Sequence, residues 1–337
     1  MRKYFEIAQT LFLCLALVFS AKVSRATAPG GTAAPFLKIG PGARAVGMGE
    51  SFVGLADDVT TLYWNPSGLA NLTKWEATFM HASWFQSINY EYMAVGLPGG
   101  ALPFLGNVGT AGVSLIFLNT GDIPETFADP TSTAGFSSTG SNIAASDMLI
   151  TVGYGRPLDS RLKVGGAIKF VNQSVGGGTV DPSRGLDNSS LSAWAFAMDL
   201  GLLADTDIEN LRIGVVVQNL GTQVKLENDA FPLPLQFKVG AGWKIPQKNV
   251  TFVSDIIQPI DNKTSWNSGV EYYSKYKFAE LILRLGYRFQ FASPDPDVIT
   301  GVTAGVGAVV FGSIIDYAFE PYGELGNTHR ISLSFKW

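Results

Sequence analysis

From Arg330 to Trp337 the chain alternates without a break. Arg330, Ser332, Ser334 and Lys336 fall on one side, and Ile331, Leu333, Phe335 and Trp337 on the other. A period of two is the signature of a strand with one apolar and one polar face. The same pattern returns in most segments after residue 75 and runs to the last residue. A closing amphipathic strand that ends on an aromatic leaves the last strand free to pair with the first. Such closure removes the open edge that neither lipid nor a long sheet tolerates.

Composition narrows the reading. Charged residues make up 15% of the 337, aromatics 12%, glycine numbers 38, and mean hydropathy is +0.18. That is apolar for a soluble protein. Beyond residue 30, however, no apolar run approaches the ~18–20 residues that a membrane helix needs. A barrel, whose lipid face uses every second residue, fits both facts. A net charge of -4 supplies no electrostatic footprint for nucleic acid.

The N-terminus reads as a secretory signal, residues 1–26. Arg2 and Lys3 precede an apolar core from Leu11 to Ala21, and Ser24-Arg25-Ala26 is a plausible cleavage site. Ala26-Thr27-Ala28 is a poorer one, because Pro29 follows. The single cysteine, Cys14, lies inside this segment with Leu13 before it, which argues against a lipid anchor. The mature protein is then expected to hold no thiol, so no disulfide or cysteine metal site.

Fourteen strand-like stretches follow: 75–84, 88–97, 108–118, 145–155, 161–171, 191–203, 211–219, 234–245, 248–257, 265–273, 279–291, 299–311, 313–320 and 328–337. Most run near ten residues, the length that crosses a bilayer at a tilt. Alternate connections are short, as at Arg156–Ser160, Pro246–Gln247 and Gly312. The interleaved ones are mostly longer, notably Asn119–Ala144 and Asn172–Ser190. Short periplasmic turns and long outer loops are the habit of bacterial barrels. Pro98–Asn107 is the exception, long where a short turn is expected. The inward faces mix charge with many Gly and Ala, which leaves room for a filling. The expected fold is all-β, a transmembrane antiparallel barrel spanning 75–337, with residues 27–74 as an N-terminal hatch containing a short helix.

The hatch does not alternate. Gly40, Gly42, Gly47 and Gly49 suggest a flexible start. Asp57 or Asp58 is expected to cap a helix running through Tyr63 and ended by Pro66. Gly47-Met48-Gly49 lacks the strand and βαβ unit of a phosphate-binding loop. Adjacent carboxylates at a helix start are more often caps than metal ligands. His81 and His329 are the only histidines, and no triad gathers around them. No enzymatic activity and no cofactor are expected. Trp75, Trp84, Trp194, Trp243, Trp266 and Trp337 read as membrane-interface girdles.

Ala43-Arg44-Ala45-Val46-Gly47-Met48-Gly49 after Gly42, then Ala56-Asp57-Asp58, then Trp64-Asn65-Pro66-Ser67-Gly68-Leu69-Ala70 resembles the signature of the PorV/PorQ family. That family consists of outer-membrane barrels related to FadL-type fatty acid transporters. The resemblance implies fourteen strands, a hatch, and a bacterial outer-membrane location. It also implies a part in type IX secretion, receiving secreted cargo or assisting its surface attachment. The alternative it implies is passive transport of a hydrophobic small molecule. Ile123, Phe127 and Phe136, in a Ser/Thr/Gly-rich loop, are candidates for contact with ligand or partner. Phe335 and Trp337 are the expected signal to the barrel-assembly machinery, and outer-membrane lipid is the expected surrounding partner.

Overall fold

The computed structural model describes residues 30–84, 88–99, 109–177, 191–226, 229–277, 279–290 and 301–337. The expected signal peptide with Cys14, most of Pro98–Asn107 and residues 178–190 of the second long loop lie outside the described residues. Seventeen strands are described. β1 (Glu76–Ser83), β2 (Asn89–Pro98) and β3 (Thr110–Asn119) open the barrel, and β4 (Ile123–Ala128) stands beside it. β5 (Phe136–Pro157), β6 (Leu162–Gly177), β7 (Leu191–Asp205) and β8 (Leu211–Gly221) continue it. β9 (Val224–Leu226) and β10 (Asp229–Phe231) form a separate hairpin. β11 (Gln236–Ile245), β12 (Val250–Pro259), β13 (Ser265–Lys275), β14 (Glu280–Gln290), β15 (Val302–Val310), β16 (Ser313–Pro321) and β17 (Asn327–Lys336) complete the ring.

Every pairing is antiparallel. β1 pairs with β17 and β3 with β5, so fourteen strands close on themselves while β4 lies outside the ring on β5. Closure in register is secured at the bottom, where Trp75 and Trp337 exchange two backbone hydrogen bonds of 3.1 Å. No described helix is long and apolar enough to cross a membrane; the crossing is made by strands.

Alternation in sequence becomes alternation in space. On β7 the outward Trp194 and Phe196 are 58% and 53% exposed, whereas the inward Ala195 and Asp199 are buried. An apolar exterior facing hydrocarbon and a buried interior invert the usual globular arrangement. The expected girdle tryptophans Trp75, Trp194, Trp243, Trp266 and Trp337 are all exposed. Trp84 differs, its ring lying edge-on against Tyr322.

Two expectations need correction. The stretch Asn119–Ala144 is not an irregular loop: β4 and the outer half of β5 occupy it. Its Ser, Thr and Gly residues hide the alternation, but hydrogen bonding to β4 and β6 keeps them extended. The glycine-rich hatch start is not loose either. Ala43–Gly47 is a short helix, and the glycines are points of close approach to the wall. Even-stranded barrels keep both chain ends of the ring in the periplasm, which makes the β4–β5–β6 sheet extracellular.

The wall is thin where the hatch leans on it. A Cβ at Gly286 falls 2.0 Å from the Gly49 amide nitrogen, and one at Gly269 falls 2.3 Å from the Met48 carbonyl oxygen. Gly286→Val therefore displaces the hatch and costs about 1–3 kcal/mol. A lower temperature for loss of folded-barrel gel mobility, with raised bilayer conductance, is the expected reading. Gly166→Ala is the control, since a Cβ there meets nothing nearer than 3.6 Å, and unchanged behaviour is expected of it.

Candidate functional site

The hatch threads the barrel from the outer mouth downward. Near that mouth the amide of Gly30 donates to the Asp261 carbonyl (3.2 Å), Ala33 to the Pro232 carbonyl (2.9 Å), and Lys38 pairs with Asp261 (2.7 Å). The chain then descends to Gly42, whose φ of +91° favours glycine. The next amide, of Ala43, donates to the Ser332 hydroxyl (2.9 Å). Helix Ala43–Gly47 lies against β14 to β17, with Gly47 beside Gly305. Gly49 turns at φ +72° and donates to Thr303 (3.0 Å). Phe52 and Val53 amides donate to the buried Asp255 carboxylate (2.7 and 3.0 Å).

Arg44 is the hub. Its Nε and Nη2 clasp both oxygens of Glu271 at 2.9 Å, and its Nη1 reaches Asp57 (2.8 Å) and Asp58 (2.9 Å). Two hydrogen bonds in one plane are what a guanidinium offers a carboxylate. Glu271 also accepts from Arg284 (2.7 Å), which passes on to Asp316 (2.7 Å). Asp57 takes a second cation, Lys244, at 2.5 Å. Burial opposes the charge on Asp57, yet Arg44 and Lys244 hold its carboxyl well below the usual carboxylate range.

Asp57 is therefore no helix cap. The helix covers Thr61–Trp64, and it is Asp58 that accepts from the Thr60 amide (2.9 Å) and hydroxyl (2.5 Å) just before it. Trp64 is buried, donates Nε1–H to the Pro41 carbonyl (3.1 Å) and lies under the Lys238 ammonium, 5.3 Å from the ring centre. Asn65 bridges hatch and wall, donating to the carbonyls of Val53 (3.0 Å) and Leu202 (3.2 Å). Its Oδ1 accepts from the Ser67 hydroxyl at 2.6 Å. Pro66, Gly68 and Leu69 pack in the turn that follows, where Pro66 backbone comes so near Gly165 that a Cβ there would overlap it.

The signature residues Gly42, Ala43, Arg44, Ala45, Gly47, Met48, Gly49, Asp57, Asp58, Trp64, Asn65, Pro66, Gly68 and Leu69 thus meet in one place, the lumen. Ile123, Phe127 and Phe136 stand apart on the extracellular sheet, with Ile123 and Phe136 exposed. Phe335 and Trp337 lie on the closing strand and its tail. What the hatch motif did not name is its wall partners. Glu271, Arg284, Asp316, Glu320 and Arg330 are buried charges on inward strand positions. Glu271 and Arg284 are register partners of opposite sign on β13 and β14, a pairing that the inward alternation brackets once the strands are aligned.

Below Arg44 the lumen opens into a cavity of about 370 Å³ lined by Asp57, Glu76, Lys244, Glu271, Arg284 and Lys336 among others. These side chains lie toward the ends of the strands joined by short turns, so the cavity faces the periplasm. Among the described residues no group of three or more His, Cys, Asp or Glu has the placement of a metal site.

Arg44→Met leaves Glu271, Asp57 and Asp58 short of their cation and is expected to loosen the hatch by about 3–5 kcal/mol. Faster amide exchange across residues 42–58, with the strand amides little changed, is the measurement. Because Asp57 titrates below its unfolded value, its contribution is complete above about pH 4 and fades as the pH falls further. The same amides are expected to exchange faster, after correction for intrinsic rate, only on the acid side of that point.

No curated protein sequence matches the chain. Solved structures do. The toluene transporter TodX of Pseudomonas putida superposes with a TM-score of 0.56 at 13% identity, covering 88% of this chain and 99% of that one. A FadL homologue of Pseudomonas aeruginosa gives 0.52 at 10% identity, covering 86% and 96%. At such identity the likeness carries the fold alone. The family described as Type IX secretion system membrane protein PorP/SprF matches residues 132–335, and the Uncharacterised protein family UPF0164 matches residues 16–232. Matched by each over more than half its length, the chain belongs to the PorP/SprF and UPF0164 families and is a barrel of the bacterial outer membrane.

Proposed function

We propose that this barrel assists type IX-like protein secretion or cell-surface attachment as a plugged, non-enzymatic docking platform of PorV/PorQ type. The observation that carries the reading is the contrast between its two ends. The lumen is filled and tied by ion pairs, while β5 runs for 22 residues, about twice the ~9–11 needed to cross. The excess makes an extracellular sheet with β4 and β6 that presents Ile123 and Phe136 to solvent. Secreted cargo is the partner that such a surface fits. Phe335 and Trp337, at the ring's last strand, serve recognition by the barrel-assembly machinery.

Passive uptake of a hydrophobic small molecule is the second reading, favoured by the architecture shared with the toluene transporter. Against it, the described lumenal cavity is lined with acidic and basic side chains, which an apolar solute would desolvate at a cost.

Ile123→Asp with Phe136→Asp is expected to reduce cargo recovered with the purified barrel at least tenfold, with gel mobility of the folded barrel unchanged. A deletion strain that keeps normal surface display, together with purified protein that binds fatty acid or toluene, rejects the secretion reading in favour of uptake.

A further inference from the structure

The hatch bonds to both strands of the closing seam. Glu76, Thr78, Met80 and Ala82 of β1 point inward, and directly opposite them on β17 stand Lys336, Ser334, Ser332 and Arg330. Consecutive hatch amides meet one of these pairs. Gly42 donates to the Met80 sulfur and Ala43 to the Ser332 hydroxyl, each at 2.9 Å. One row toward the outer mouth, Arg330 donates to the Gly40 carbonyl. At the periplasmic end the Val59 amide donates to Glu76 (3.1 Å), whose other oxygen pairs with Lys336 (2.9 Å). In the row between, Thr78 and Ser334 share a hydrogen bond of 2.8 Å. Tyr90, on β2, donates to the Ile39 carbonyl (3.0 Å), so the hatch holds the neighbour of β1 as well.

Ring closure poses a register problem that alternation does not solve. A slip of one residue turns the charges of one strand, Arg330 and Lys336 among them, toward hydrocarbon at high cost. A slip of two keeps every apolar residue outside and every polar one inside. It nonetheless changes the stagger of the strands and with it the diameter of the ring. Elsewhere in the ring, neighbouring strands are consecutive along the chain or joined by a connecting loop; β1 and β17 are its two ends.

We infer that the hatch is the template for ring closure: it sets the β1–β17 register and hence the stagger of the whole barrel. Two adjacent amides do not reach acceptors shifted apart by two residues, about 7 Å along a strand. The hatch is also in place early. Gly42 and Met80 are 38 positions apart, whereas Ala43 and Ser332 are 289 apart, and the shorter loop closes at lower entropic cost. Hatch, β1 and β2 form a local unit, and β17 arrives at a strand edge with the hatch donors already positioned. Late threading is blocked, because hatch backbone touches wall backbone at Gly214, Gly269 and Gly286.

Cysteine pairs across the seam read the register. On a Cys14→Ser background, Ser83→Cys with His329→Cys joins the observed partners. Ser83→Cys with Ile331→Cys, or with Asn327→Cys, joins residues that stand opposite only after a slip of two. Met80→Leu with Ser332→Ala removes both hatch acceptors at little change in volume. That double variant is expected to raise the ratio of slipped to native disulfide at least fivefold in assembled outer membranes. In refolding of the urea-unfolded full chain into lipid vesicles, it is expected to slow the appearance of the folded-barrel gel mobility at least fivefold. Its unfolding rate is expected to change less than twofold, the mark of contacts already made when the ring closes. Asp261→Ala, which cuts the tie to Lys38 at the outer mouth, is expected to leave the closure rate within twofold. A disulfide ratio that does not rise, a loss of stability expressed only as faster unfolding, or equal slowing by Asp261→Ala overturns the inference.

Discussion

Everything in this molecule depends on the closure of the fourteen-stranded membrane ring. In hydrocarbon an unpaired backbone N–H or C=O has no water to turn to. The ring is closed by β1 with β17 and by β3 with β5. Closure fixes the strand number, the strand number fixes a wide lumen, and a wide lumen has to be filled or left as a pore. Here it is filled by the chain's own residues 30–74, which explains why inward positions favour Gly and Ala. At Gly214, Gly242, Gly269 and Gly286 the hatch backbone touches wall backbone, and no side chain fits between.

The filling is held in an uncommon way. An apolar plug against an apolar wall would be more stable than buried ion pairs, which gain little over well-packed hydrocarbon once desolvation is counted. Yet Arg44, Asp57, Glu271, Arg284 and Asp316 form one continuous chain of charge between hatch and wall. Such a chain is directional. It fixes the register of a segment that has little regular structure of its own, and it lines the periplasmic cavity. A hatch fastened by groups that water can also satisfy releases at lower cost than one fastened by a dry core.

The architecture was readable from the chain because each strand carries its own instruction. Period-two alternation placed all fourteen ring strands, most within two or three residues of their observed ends, and lipid on one side made the pattern sharp. It failed at Asn119–Ala144, where no bilayer imposes an apolar face and Ser and Thr serve in strands as well as loops. In the hatch, the motif marked the right residues but not their roles. Asp57 or Asp58 read as a cap because a cap is the local use of a carboxylate; Asp58 does accept from Thr60 at the helix start, whereas the partners of Asp57, Arg44 and Lys244, are supplied by tertiary structure. Local signals cannot announce partners more than two hundred positions away, as Glu271 is from Arg44.

The family matches and the structural likeness divide along the same physical line. The barrel resembles hydrocarbon channels because fourteen tilted strands around a plug have few ways to close, whatever the plug does. What differs between uses of the barrel is the content of the lumen and the length of the strands beyond the membrane. This chain puts acidic and basic groups in the first and a long, side-chain-rich sheet in the second. Both features are unnecessary for passing an apolar solute, and both suit the docking role proposed above.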